Sequence, residues 1–171
     1  STASMNIQID ASLSTPINAN GSLNFCEGNK VVLTTGSFAS YLWSNGATTA
    51  SITVKASGVF SVDVIDMAGC AGTSVTKTVV VNPLPVALVT PSGPTTFCKG
   101  DKVNLDAGAG FAAYKWSNGA ITQTTNVFKS GNYSVVVSNA FGCKDTSAAI
   151  SITVHPSPVI NPAGPVHLCL G

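Results

Sequence analysis

Apolar and polar residues alternate along this chain in short runs, and no stretch carries a helical period with caps. Residues 31–35 (VVLTT) and 103–107 (VNLDA) are β-branched, alternating and bounded by glycine. Residues 59–65 (VFSVDVI) and 132–138 (NYSVVVS) alternate cleanly, and 73–81 (TSVTKTVVV) and 146–154 (TSAAISITV) follow them. Each run predicts a half-buried strand. Tyr41-Leu-Trp-Ser and Tyr114-Lys-Trp-Ser lead into Asn45-Gly46 and Asn118-Gly119, a strong short hairpin signal. Residues 50–54 and 124–128 are expected to return from those turns. About seven short strands in each half of the chain, with a turn every 8–12 residues, predict a β-sandwich.

The runs come twice. Residues 25–46 (FCEGNKVVLTTGSFASYLWSNG) match 97–119 (FCKGDKVNLDAGAGFAAYKWSNG), and 57–70 (SGVFSVDVIDMAGC) match 130–143 (SGNYSVVVSNAFGC). The first cysteines of the two copies are 72 residues apart and the second cysteines 73. A fixed period of that length means tandem copies of one small domain. Residues 164–171 (GPVHLCLG) align with 93–100 (GPTTFCKG), and 5–10 (MNIQID) take the place of a closing strand. The expected division is a remnant closing strand at 1–15, a first repeat at 16–83, a second at 84–157 and the start of a third at 158–171. Pro83 and Pro85, then Pro156 and Pro158, mark the junctions as short, stiff linkers. The expectation is an all-β chain of two sandwiches arranged end to end, whose partners are neighbouring repeats.

Composition narrows the function. Charged residues are 9% of the 171, and the net charge is +1, so no basic field is present for nucleic acid. No apolar run approaches a membrane span, so direct insertion is not expected. With 44% hydrophobic residues the copies should fold, Ser, Thr, Asn and Gly supplying solubility. A domain of this size buries only about 60% of its unfolded surface and is marginal without help.

The five cysteines recur at equivalent positions. No C-x-x-C spacing favours zinc, so the pattern predicts disulfides and an extracellular, oxidising location. Two pairings remain open for Cys26, Cys70, Cys98 and Cys143. The expected one lies within copies, Cys26–Cys70 and Cys98–Cys143, each loop of about 45 residues contributing roughly 4 kcal/mol. The alternative, Cys26–Cys143, joins neighbours. It answers an objection: a strict sandwich puts the two cysteines of one copy at opposite ends.

The combined pattern is C-x-G-x-x-V-x-L, Y-x-W-S-N-G-A, S-G-x-[FY]-S-V-x-V, G-C, then a Val-rich strand and P-x-P. It resembles the Ig-like or PKD-like repeats of Bacteroidetes surface and secreted proteins. Those occur in gliding-motility adhesins and in multidomain proteins exported by the type IX route. Trp43 and Trp116 then take the core tryptophan position of the third strand rather than a sugar-stacking platform, with Tyr41 and Tyr114 buried beside them. Phe60 and Tyr133 take the tyrosine-corner position, and only Tyr133 has the hydroxyl to make its bond. Val62 and Val135, with Leu33 and Leu105, replace the antibody-type inter-sheet disulfide by aliphatic packing.

Catalytic signals are sparse. His155 and His167 lack a nucleophile motif, and the carboxylates are scattered singly. No cofactor, metal or enzymatic activity is expected. The sequence points to a structural spacer in an extracellular, adhesin-like repeat protein. A module binding polysaccharide or surface glycan by avidity is the alternative.

Overall fold

The computed structural model describes residue 13 and residues 15–157. The chain divides into two compact units between Pro83 and Leu84. The expected remnant strand at 5–10, His167, Cys169 and Pro158 lie outside the described residues.

Unit 1 holds β1 (Asn18–Ala19), β2 (Asn24–Cys26), β3 (Val31–Thr34), β4 (Ser40–Trp43), β5 (Ser51–Val54), β6 (Gly58–Phe60), β7 (Val62–Ile65), β8 (Ala71–Thr73) and β9 (Lys77–Asn82). Unit 2 repeats the series as β10 (Thr90–Pro91), β11 (Thr96–Cys98), β12 (Val103–Asp106), β13 (Ala113–Trp116), β14 (Thr124–Val127), β15 (Gly131–Tyr133), β16 (Val135–Ser138), β17 (Lys144–Thr146) and β18 (Ile150–His155). The described residues contain no helix.

In unit 1, β3 lies antiparallel between β1 and β5, forming one layer. The other layer is built on two interrupted strands. β6 and β7 are one line of chain broken at Ser61, and β8 and β9 are a second broken at residues 74–76. β7 pairs with β4 and β8, while β9 pairs antiparallel with β6 and parallel with β2. Joining the broken lines gives seven strands, the number the turn spacing predicts. Unit 2 has the same pairings, with β10 and β14 flanking β12 and β11 running parallel to β18.

Alternation explains the two layers. The burial of β3, β5 and β7 switches at every residue, as the pleat requires. Val31, Leu33, Ile52 and Val54 project inward from one layer, and Trp43, Val62, Val64 and Val79 from the other. Val103, Leu105 and Val127 meet Trp116, Val135, Val137 and Ile152 in unit 2. Both units are Ig-like β-sandwiches. Leu33, Val62, Leu105 and Val135 are wholly buried, so aliphatic packing fills the place of an inter-sheet disulfide.

The Asn-Gly hairpin expectation fails. β4 pairs with β7, not with β5, and β5 pairs with β3 in the opposite layer. Gly46 takes φ 86°, but Asn45 keeps a negative φ, whereas a two-residue I′ hairpin needs both residues positive. Asn45 instead accepts the Ala47 N–H through its side-chain oxygen at 3.2 Å, an Asx turn. The turn is therefore a corner from which the chain crosses between layers. Asn118 does the same with Ala120 at 3.1 Å.

Candidate functional site

The aromatic positions come first, because they separate a spacer from a sugar binder. Trp43 and Trp116 are 1% and 2% exposed. Each indole N–H donates to a carbonyl in the following crossover, Thr49 O at 2.7 Å and Thr122 O at 2.8 Å. Neither ring has a free face for a sugar. Tyr41 and Tyr114 are half-buried at the core margin. Their hydroxyls donate to Gly36 O at 3.2 Å and Gly108 O at 2.9 Å. Phe38 and Phe111 pack edge-on against them, with centroids 6.1 and 5.9 Å away. They pack against the cores that hold the tryptophans but stay part-buried, because the hydroxyls reach loop carbonyls at the rim.

The corner position differs between the copies. Tyr133 donates to Lys129 O at 3.0 Å, four residues upstream, and Phe60 keeps only its packing against the core. Tyr133→Phe should lower the stability of unit 2 by about 0.5–1.5 kcal/mol, read as a shift in its urea midpoint. An unchanged midpoint would mean water replaces the bond fully.

Serines carry a task that alternation did not expose. Where β6 gives way to β7 the ladder is interrupted, and hydroxyls substitute for carbonyls. Ser44 Oγ accepts the Ser61 N–H at 3.2 Å, and Ser74 Oγ accepts the Val62 N–H at 2.9 Å. Ser57 Oγ accepts the Val81 N–H at 2.8 Å. Unit 2 repeats all three with Ser117, Ser147 and Ser130. The recurrence of these serines in both copies was the available signal. Ser74 and Ser147 are buried, so losing either hydroxyl strands a buried N–H. Ser74→Ala or Ser147→Ala should cost about 1–3 kcal/mol, measured by urea unfolding. A loss below about 0.5 kcal/mol, the level of a surface change, would contradict that role.

Among the described residues, chemistry-bearing groups do not converge. Among the described residues no group of three or more His, Cys, Asp or Glu could hold a metal. His155 is exposed at the end of β18. Asp106 is held below the usual carboxylate range by the Gln123 side-chain amide at 3.0 Å and then by the Gly108 N–H at 2.8 Å. Its contribution is fully present above the ordinary carboxylate pKa and is lost as pH falls through the lowered one. Thr34 stands there in the first copy, so this is not a repeated site.

The cysteines correct the sequence most. Cys26 and Cys143 are disulfide-bonded, and Cys70 and Cys98 are free thiols. The within-copy pairs Cys26–Cys70 and Cys98–Cys143 therefore do not form, and the Cys26–Cys143 alternative is the pairing that uses the bonded residues. Strand register gives the reason. Cys26 lies level with Asn82 at the C-terminal end of β9, beside Ser57 and Val81. Cys70 closes the turn after Ile65, at the far end of the β6–β7 line. Eight extended residues separate these levels, roughly 26 Å at about 3.3 Å per residue. A disulfide needs Cα atoms within about 7 Å. Unit 2 has the same register, with Cys98 level with His155 and Cys143 beyond Ser138.

No protein-family model and no curated protein matches this chain. Solved structures with some likeness include murine CEACAM1b, 15% identical over 82% of this chain and 99% of that one, with a TM-score of 0.39. Another is the mouse coronavirus receptor-binding domain complexed with its murine receptor, 15% identical over 82% and 99%, with a TM-score of 0.41. The fibronectin(III)-like modules of Clostridium thermocellum CbhA are 12% identical over 83% and 94%, with a TM-score of 0.37. The assignment as an Ig-like sandwich rests on the strand pairings and the two buried faces.

Proposed function

We propose that this chain is a spacer segment of an extracellular, adhesin-like repeat protein of the Bacteroidetes type, structural rather than catalytic. Its copies set a distance between functional domains located elsewhere in the protein. One observation carries the reading. Most inward positions agree between copies (Val31/Val103, Leu33/Leu105, Trp43/Trp116, Val62/Val135, Val64/Val137), Ile52/Thr125 and Val79/Ile152 excepted, while outward positions on the same strands diverge. Leu42 stands against Lys115, Asp63 against Val136 and Ile65 against Ser138. A ligand face shared by the copies would keep an exposed set, and avidity needs the same face on each copy. Burial of both tryptophans also removes the stacking platform on which the glycan-binding alternative depends. The disulfide fits an oxidising, extracellular compartment.

The test is native affinity electrophoresis of the chain through gels containing soluble polysaccharides. A spacer migrates equally in every gel. Retardation in one polysaccharide that rises with its concentration would overturn the reading in favour of a binding module.

A further inference from the structure

Each copy contains one bonded and one free cysteine, and the two copies are opposite in which is which. Cys26 is bonded and its equivalent Cys98 is free, while Cys143 is bonded and its equivalent Cys70 is free. The local settings match closely. Glu27 N–H donates to Asn82 O at 2.8 Å and Asn29 N–H to Cys26 O at 3.1 Å. Lys99 N–H donates to His155 O at 2.8 Å and Asp101 N–H to Cys98 O at 3.1 Å. Gly28 and Gly100 supply the positive φ, 89° and 109°, that this turn requires. The second cysteines are equally alike. Asp66 accepts the Cys70 N–H through its side chain at 2.8 Å, and Asn139 accepts the Cys143 N–H at 3.1 Å. Cys98 thus sits in the same turn as a half-cystine, and so does Cys70.

We propose that Cys98 and Cys70 are half-cystines whose partners come from further copies of this repeat. Cys98 takes the turn cysteine of a copy that follows, and Cys70 takes the strand-end cysteine of a copy that precedes. The bonded state of the equivalent residue in the other copy is the independent observation, beyond the presence of a thiol, that assigns a partner. Position agrees with it. Cys98 ends β11 and lies level with His155 at the C-terminal end of the closing strand β18. Cys70 lies at the other pole, its turn leading into β8, where Leu13 packs against Gly72. In unit 2 the same place holds Asp145, which accepts the Ala87 N–H at 2.9 Å.

Two grooves open at the pole around Cys98. A groove of about 750 Å³ opens there between Pro94, Phe97 and Lys102. A second of about 340 Å³ opens between Lys99, Val154 and Pro156, and the exposed Phe128 lines both. Bond formation exchanges with a small-molecule disulfide of the oxidising compartment, such as oxidised glutathione. One thiolate attacks it and releases one glutathione, and the second thiolate then displaces the other. Two protein thiols become one disulfide, and one oxidised glutathione becomes two reduced.

The inference rests on the repeat-array reading but not on the spacer role, so failure here leaves the polysaccharide test untouched. The experiment extends the chain after Gly171 with a second copy of residues 101–157, in a Cys169→Ser background. After oxidation by glutathione and non-reducing peptide mapping, Cys98 should be joined to the added equivalent of Cys143. Its alkylation should fall at least tenfold against the 171-residue chain. Cys98 alkylating equally in both would overturn the proposal. A second arm needs no added sequence. The Cys169→Ser chain, concentrated in glutathione buffer, should form Cys98–Cys70 links between molecules in at least tenfold excess over Cys98–Cys98 and Cys70–Cys70, and Cys98→Ser should abolish them. Equal abundance of the three links, or none, would overturn it.

Discussion

Trp43→Ala should remove most of the stability of unit 1, and Trp116→Ala most of that of unit 2. Each indole is the largest side chain in its core and is wholly enclosed. Truncating a buried tryptophan costs about 3–5 kcal/mol through lost transfer energy and the cavity left behind. The Thr49 or Thr122 carbonyl also loses its donor. A unit of about 70 residues holds only some 4–10 kcal/mol in total. The two reporters make the measurement clean. In Trp43→Ala the remaining fluorescence reports unit 2 alone, and amide hydrogen exchange reports unit 1. Protection in unit 1 should fall by at least two orders of magnitude while the Trp116 emission stays native. A loss below about 1 kcal/mol, the centre of the range for ordinary point mutants, would mean that the ring is not the core anchor.

Cys143→Ser should have the next largest effect, and Cys98→Ser should have almost none. Cys143 is disulfide-bonded, and removing a native disulfide from a small domain costs about 2–5 kcal/mol. Cys98 is exposed and free in this chain, so its replacement should stay within about 0.5 kcal/mol. Urea unfolding of the two variants against the parent measures the asymmetry. Pairing within copies predicts equal losses, because Cys98 and Cys143 would then be partners. Cys26→Ser should reproduce Cys143→Ser, and reduction of the parent should reproduce both.

Much of the fold is legible in the sequence because it depends on local periodicity. The alternation of Val31 with Leu33, Ile52 with Val54 and Val62 with Val64 marks the inner faces directly, since strand side chains change face at every residue. Trp43 and Trp116 stand out as the large apolar anchors a small module needs. What the sequence hides is set by pairing across distance. Asn45-Gly46 has the composition of a hairpin turn. Whether the next strand returns beside the first or crosses to the other layer depends on β7, which outcompetes β5 for the edge of β4. The cysteine pairing is hidden for the same reason. Spacing along the chain cannot tell that Cys26 and Cys70 lie at opposite poles until the register of β2 on β9 is known. Ser74 and Ser147 escape notice because a serine reads as surface, and only the break between β6 and β7 gives it a buried N–H to accept.

The central claim is that the features repeated in both copies build the fold and do not contact a ligand. Iodide quenching of tryptophan fluorescence, with and without soluble glycans, tests it most directly, since Trp43 and Trp116 are the only two reporters. The account predicts blue-shifted emission that iodide barely quenches and that glycans leave unchanged. Strong quenching that a glycan protects against would contradict it and place the repeated tryptophans at a binding surface.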